Sequence, residues 1–274
     1  MSDLSAAGRE PTDAKLKPDV PHTARIWNYW LGGKDNFAAD REVGDRVREI
    51  FPVVIELARA DRLFLGRVVH YLVAEEGIRQ FLDIGTGLPT QDNTHQVAQR
   101  VAPEARIVYV DNDPLVLVHA RALLTSSPQG ATDYVDADLH DPDTILRRAT
   151  DTLDFSQPVA IMLLGVMHFI QDDDKLQQII DRLLAAVPSG SYLAVANTTT
   201  AVNGAVTAEA VRVWNIDAQP KLKLRTPERI AEFFTGLEVI APGWVSCSRW
   251  RPEPQDDGSL PVEVDQWCGV VRKP

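Results

Sequence analysis

The chain has 274 residues, with 28 Lys and Arg against 39 Asp and Glu, a formal net charge of −11. Hydrophobic residues make up 45 % and charged residues 24 %, which supplies apolar mass for a folded core and argues against a chain disordered throughout. The acidic balance, without Lys/Arg runs, argues against nucleic acid as partner and against an anionic membrane surface, since both need a basic face.

The two cysteines, Cys247 and Cys268, are too few for a disulfide scaffold and lack metal-ligand spacing, so a reduced cytoplasmic protein is the simpler reading. Met1 to His22 is polar and interrupted by Pro11, Pro18 and Pro21, and no window reaches the roughly 18 apolar residues of a membrane span. Neither export nor membrane insertion is expected.

Taken in chain order, residues 1–20 read as a disordered tail and 21–77 as a helical N-terminal cap. Ile26, Trp27, Tyr29, Trp30 and Leu31 form a dense apolar stretch that stops at Gly32-Gly33, a helix-ending signal. A second helix is expected over Ala38–Ile50. Pro52 opens a third element, and Arg62–Glu76 has helical spacing up to Gly77, a C′ glycine.

From 78 to 274 the rhythm changes to strands alternating with helices, forming one structural unit with the cap. Strands are expected at Gln80–Ile84, Arg106–Val110, Thr132–Ala137, Val159–Leu164 and Ser191–Ala196. Helices are expected at Asp92–Val101, Pro114–Leu124 and Asp172–Val187. That alternation implies βαβ units and a parallel sheet. Leu237–Ile240 and Val262–Val271 are strand-like around a Pro/Asp/Gly-rich loop, which suggests a closing antiparallel pair at the sheet edge.

The sharpest local signal is FLDIGTGLPT, Phe81 to Thr90. An apolar strand ends in Asp83, passes through Gly85, Thr86 and Gly87, and leads into a helix. Glycine lets the backbone approach a ligand, and the helix N-terminus points N–H groups at it. The next strand ends in Asp111-Asn112-Asp113, where Asp111 can accept from two vicinal ribose hydroxyls and Asn112 can line an adenine. Asp111 follows Gly87 by 24 residues, near the roughly 20 that such sites use. Asp138 and Leu139 after the third strand can offer a carboxylate to an adenine amino group and an apolar edge. Gly165 follows the fourth strand. Ligands on open α/β sheets bind at this edge.

The kind of adenosine cofactor follows from charge. A dinucleotide site wants a third glycine, and Thr90 stands there beside Pro89. Asp83 would repel a diphosphate, whereas the ammonium of an amino-acid tail would be attracted. The local charge favours S-adenosyl-L-methionine over NAD.

The sequence resembles a class I S-adenosylmethionine-dependent methyltransferase. FLDIGTGLPT, Asp111, the DADL block and PSGSYLAVAN occur in the expected order. RIWNYWLGGKDNFAADR and the ending QWCGVVRKP are similar to the actinobacterial S-adenosylmethionine-methyltransferase-like family formerly treated as a domain of unknown function. The likeness runs from about Pro21 onward. It implies a Rossmann-like fold, a seven-stranded mostly parallel sheet with helices on both faces, and a helical cap over the cofactor. It names no methyl acceptor. Pro89 departs from the third glycine of many superfamily members.

Other residues carry two readings each. Trp27, Tyr29 and Trp30 can simply pack the cap on the sheet. Gly32-Gly33-Lys34-Asp35-Asn36 suits a ligand-contacting turn, which makes Arg25, Tyr29, Lys34 and Asn36 candidates for holding the cofactor's carboxylate or closing the pocket. His168, just after strand four, stands where a base could take a proton from an acceptor. Methyl transfer from a sulfonium can run on positioning, so a structural histidine is the competing reading. Asp172-Asp173-Asp174 reads as a helix N-terminus and no metal site is expected. Thr198–Leu224 is the expected wall of an acceptor pocket.

The expected function is S-adenosylmethionine-dependent methyl transfer to a small molecule, with no nucleic-acid or membrane partner and an oligomeric state left open. Two rivals remain: a non-catalytic binder of S-adenosylmethionine or S-adenosylhomocysteine, and an NAD-dependent oxidoreductase.

Overall fold

Four apolar runs and one amphipathic edge segment become parallel strands: β1 (Gln80–Ile84), β2 (Arg106–Asp111), the edge strand β3 (Ala131–Asp136), β4 (Ala160–Leu164) and β5 (Tyr192–Thr198). Three more close the sheet antiparallel: β6 (Glu238–Val239), β7 (Val245–Ser246) and β8 (Gln266–Arg272). This arrangement comes from a computed structural model that describes residues 17–123, 125–254 and 257–274. Most of the expected tail, residues 1–16, and the last residue of the expected helix Pro114–Leu124 lie outside the described residues.

The order is β3-β2-β1-β4-β5-β8-β6, with β7 paired to β8. The expected seven strands are the seven on this path. β6 pairs Arg272 and Val271, and β7 pairs Cys268 and Trp267, both opposite β5, so the two short strands share one broken edge. The strand expected at Val262–Val271 begins only at Gln266. Asp265, fully buried, turns its carboxylate to the backbone N–H groups of Val202 and Asn203 and to the Thr207 hydroxyl, which takes this stretch out of the ladder.

The helices are α1 (Thr23–Trp30), α2 (Ala38–Ile50), α3 (Val54–Ala74), α4 (Thr94–Val101), α5 (Pro114–Leu123), α6 (Pro142–Ala149), α7 (Asp173–Ala185), α8 (Ala205–Asp217) and α9 (Pro227–Glu232). The third is longer than its expected core of Arg62–Glu76, starting directly after Pro52-Val53. α4 starts two residues later than expected, because Asn93 and Gln96 form a capping box on it. Asp172 caps α7 by accepting from Asp174 and Lys175 N–H, and Thr226 caps α9.

Side chains alternate across the sheet, so each strand feeds two cores. Phe81, Ile107, Tyr109, Ala194 and Ala196 face the side that carries α1–α4 and α8, with Ile26, Trp30, Leu57, Phe64 and Trp214 packed there. Leu82, Val108, Val110, Leu193 and Val195 face the opposite side, against Ile145 of α6, Ile179 and Ile180 of α7 and Ile230 of α9. Strand order reverses between β1 and β4, which leaves a crevice at their carboxyl ends. Among the described residues no helix is long and apolar enough to cross a membrane.

Candidate cofactor site

A cavity of about 340 Å³ lies in that crevice. Four strand ends wall it: Ile84-Gly85 after β1, Val110-Asp111-Asn112 at β2, Ala137 to His140 after β3, and Leu164-Gly165-Val166 at β4. His22, Thr23, Ala24 and Trp27 from the start of α1 cover it, and Asp61 of α3 and Gln219-Pro220 complete the wall.

Gly85 cannot be replaced without cost. Its φ is +77°, a region side chains avoid, and a Cβ there would stand 2.8 Å from Cγ2 of Val166. Its N–H donates to the Val110 carbonyl at 2.8 Å, which holds the turn against β2. Gly87, φ +64°, donates its N–H to Asp111 Oδ2 at 2.9 Å. Asp113 N–H donates to Asp111 Oδ1 at 2.9 Å. Burial pushes the Asp111 carboxyl above its ordinary value, while these backbone bonds and His22 oppose that rise. A carboxylate has about four acceptor sites, so two remain for a pair of hydroxyls.

Asp138 and Leu139 form the next wall. Asn112 Nδ2 donates to Asp138 Oδ2 at 2.7 Å, and His140 donates its backbone N–H to Oδ1 at 2.8 Å. Partial burial raises the Asp138 carboxyl, but the His140 backbone and ring and the Asn112 amide outweigh it and hold the group below its ordinary value. Leu139 is buried beside it.

Asp61 gives no local signal in the sequence, because it lies inside a helix and its orientation depends on how α3 sits on the sheet. Its Oδ1 accepts from Gln266 Nε2 at 2.8 Å. That same amide nitrogen lies 3.8 Å from where a Cβ on Gly165 would be, so Asp61 is held beside the β4 turn. Burial pushes its carboxyl up to about 6, against the Gln266 bond and the Arg62 charge. A half-buried carboxylate on the wall of a ligand cavity favours a cationic group.

Asp83, Thr86 and Gly87 do not line this cavity. Burial pushes Asp83 up to about 6, and it accepts from the Thr94 hydroxyl at 2.6 Å, tying β1 to the first turn of α4. The Thr86 hydroxyl lies 2.8 Å from the Tyr134 hydroxyl. These residues shape the glycine turn from behind.

Arg25, Tyr29, Lys34 and Asn36 also stand outside the cavity walls. Arg25 is buried, its Nε 3.3 Å from Asp113 and 3.8 Å from Asp40, its Nη2 donating to the Val20 carbonyl. His22 Nδ1 lies 2.8 Å from the same Asp113 carboxylate, and the His22 N–H donates to Asp40. Two buried acids therefore fasten the start of α1 over the crevice. Tyr29 donates to Asp45 at 2.7 Å, and that bond raises the phenol above its ordinary value. The Asn36 amide donates to Asn28 and to the Gly33 carbonyl, and Lys34 is exposed.

His168 sits in the one-turn 3₁₀ helix after β4, 1 % exposed. It lines a second, smaller cavity that shares Trp27 and Phe169 with the first. Its Nδ1 accepts the Thr198 N–H at 3.4 Å. Burial, and then the Arg225 cation, push its pKa down to about 3, against a smaller opposing effect of the Gly165 carbonyl. At neutral pH the ring is uncharged and weakly basic.

The profile of the S-adenosyl methyltransferase family matches residues 9–274. The chain belongs to the S-adenosyl methyltransferase family. A DUF574 family protein from Streptomyces avermitilis MA-4680 is 41 % identical, with a TM-score of 0.90 over 94 % of this chain and 100 % of that one. A candidate methyltransferase from Thermobifida fusca YX is 40 % identical, with a TM-score of 0.85 over 94 % and 97 %. Mitomycin 7-O-methyltransferase MmcR shares the fold at 15 % identity, with a TM-score of 0.51 over 97 % of this chain and 76 % of its own. No curated protein is detectably similar.

The cofactor of this family is S-adenosyl-L-methionine, and the cavity suits it. Gly85 forms a turn in the cavity wall that leaves no room for a side chain beside Val166, Asp111 keeps free acceptor sites, and Asp61 presents a half-buried carboxylate. Membership sets the nicotinamide reading aside.

Proposed function

We propose that the protein transfers the methyl group of S-adenosylmethionine to a small-molecule acceptor. The observation that carries this reading is the convergence of Gly85, Asp111, Asp138 and Asp61 on one cavity. When bound, the cofactor supplies an electrophilic methyl on a sulfonium.

The chain's own residues hold and enclose. Asp111 receives the ribose hydroxyls. Asp138 and Leu139 receive the adenine edge, with Asn112 keeping Asp138 in place. Asp61 receives the ammonium of the methionine tail. Arg25 and His22 act at one remove, by clamping α1 through Asp113 and Asp40 so that Trp27 closes the cavity. Tyr29 and Asn36 keep the turn after α1 in shape. Catalysis rests on alignment and exclusion of water rather than on a strong base, since burial leaves His168 with little affinity for a proton. The segment 21–77 serves as a cap of the 78–274 unit. A cytoplasmic location, with Cys247 and Cys268 as free thiols, fits this reading.

The test is turnover. Purified protein with methyl-labelled S-adenosylmethionine and a panel of small acceptors is expected to form labelled product and S-adenosylhomocysteine in equal amounts. Asp111→Ala is expected to slow this at least about 100-fold, on the scale of lost binding contacts. Tight cofactor binding with no transfer to any acceptor would favour a non-catalytic binding protein instead.

A further inference from the structure

The smaller cavity, about 40 Å³, lies between α1–α3, the turn after β4 and the segment after β5. Trp27, Trp30, Phe51, Val54, Phe169 and Trp214 supply most of its apolar wall. No charged side chain lines it, and its one titratable group is the neutral ring of His168. Its other buried polar groups are already committed. Thr198 Oγ1 donates to Gln266, Thr207 Oγ1 to Asp265, Trp30 Nε1 to the Gly44 carbonyl and Trp214 Nε1 to the Pro220 carbonyl.

His168 is different. β4 has ended at Leu164, so the Thr198 N–H has no strand partner on that side and donates to His168 Nδ1 instead. A neutral imidazole that accepts at Nδ1 carries its proton on Nε2. That Nε2 is buried and, beyond the weak pull of the Gly165 carbonyl on the ring, meets no partner at hydrogen-bonding geometry. An unmet donor in an apolar cavity is costly, and is the kind of exception that a ligand resolves.

We propose that this cavity is the acceptor subsite: it takes the uncharged, apolar end of a small molecule and binds an oxygen of that molecule through His168 Nε2–H. The inference deepens the methyltransferase reading and rests on it. The class of acceptor is an uncharged ring system or similar apolar body bearing a carbonyl, ether or hydroxyl oxygen. A carboxylate or ammonium at that end is excluded, because no counter-charge lines the cavity and an unpaired buried ion is far more costly than an unmet dipole. The volume admits one end of such a molecule, and the shared walls Trp27 and Phe169 lead the rest toward the larger cavity. His168 is here a donor to substrate, the opposite of a base.

The probes are 1-indanone, indane and indane-2-carboxylate, titrated into the full chain and followed by NMR. Indanone is expected to bind about three- to tenfold more tightly than indane, as one added hydrogen bond allows, and the carboxylate most weakly. The His168 Nε2–H signal is expected to move with indanone and hardly at all with indane. His168→Phe is expected to erase the preference while still binding indane, and His168→Asn to retain part of it. Equal binding of indanone and indane by the wild-type protein, binding of neither, or tighter binding of the carboxylate would overturn the proposal without any variant. S-adenosylmethionine is titrated into the same preparation. If it binds while the indanone preference is missing, the acceptor inference fails alone; if the preference is present and the cofactor does not bind, the methyltransferase reading fails alone.

Discussion

Asp111 accepts the backbone N–H of Gly87 at 2.9 Å, so the acid at the end of β2 holds the glycine turn at the end of β1. The same carboxylate lines the cofactor cavity, which makes the turn's geometry and ligand binding depend on one side chain. Asp111→Ala removes the acceptor for two buried-side N–H groups, of Gly87 and Asp113. The loss in stability is expected to be about 1–3 kcal/mol. Urea unfolding of the cofactor-free protein measures it, and a loss below about 0.5 kcal/mol would mean that water replaces the carboxylate.

Gly85→Ala is expected to lower stability by about 1–3 kcal/mol, because φ is +77° and the new methyl meets Val166. A companion Val166→Ala is expected to give little rescue, since the Val166 Cβ is itself 2.9 Å from the new methyl. Thermal unfolding of the two single variants and the double variant decides this. Full recovery in the double variant would show that only the Val166 methyl groups were in the way.

Asp61 and Asp83 both have folded pKa values of about 6 against an ordinary 3.8. Between those values the folded chain binds more protons than the unfolded one, so stability falls as pH rises from about 4 to 6 and is level above. Asp61→Asn removes one such group. It is expected to flatten that slope and to raise stability at pH 7 by about 1 kcal/mol or more. The same change is expected to weaken S-adenosylmethionine at least about tenfold through loss of the ammonium's partner. Melting temperatures at pH 4.5 and 7, together with calorimetry, check both halves. An unchanged slope would mean that Asp61 is not held protonated by the fold.

Asp173 anchors the turn that carries His168. Its carboxylate takes Lys223, Arg225 and Arg229, and Arg225, 4 % exposed, donates in turn to the carbonyls of Ile170 and Met167. Partial burial raises the Asp173 carboxyl, but the three cations outweigh this and hold it well below its ordinary range. Its contribution to stability is therefore complete at neutral pH and is lost as pH falls below the ordinary carboxylate range. Asp173→Asn leaves Arg225 buried without its counter-charge, and is expected to cost about 3 kcal/mol at pH 7 and only about 1 kcal/mol less at pH 3, where the folded-state carboxyl is still ionised. Chemical denaturation at the two pH values measures the difference.

Much of this is legible in the sequence. Continuous apolar runs such as VAIMLL mark strands buried on both faces, and the residues at their ends fall at one edge by topology alone. That is why Gly85, Asp111, Asp138, Leu139 and Gly165 come out as neighbours around one cavity. Residues inside helices carry no such mark. Asp61 reaches the cavity because of the rotation of α3 over the sheet, and nothing in its flanking Ala60 and Arg62 reports that rotation. His22 reads as part of a polar approach to α1 and reaches the cavity through Asp113, a contact between distant segments. The start of α3 is marked by Pro52, which opens the element two residues ahead of Val54. The stretch Val262-Glu263-Val264-Asp265 alternates like a strand, but Asp265 is drawn to the backbone ahead of α8.

The most direct measurement is calorimetric titration of the full chain with S-adenosylmethionine, S-adenosylhomocysteine and NAD, beside Asp111→Ala and Asp61→Asn. Micromolar binding of the first two is expected, with none for NAD, a large loss of both ligands in Asp111→Ala, and a comparable loss in Asp61→Asn because both carry the amino-acid tail. Undiminished S-adenosylmethionine binding in Asp111→Ala, or binding of NAD in its place, would contradict the cofactor site described for this cavity.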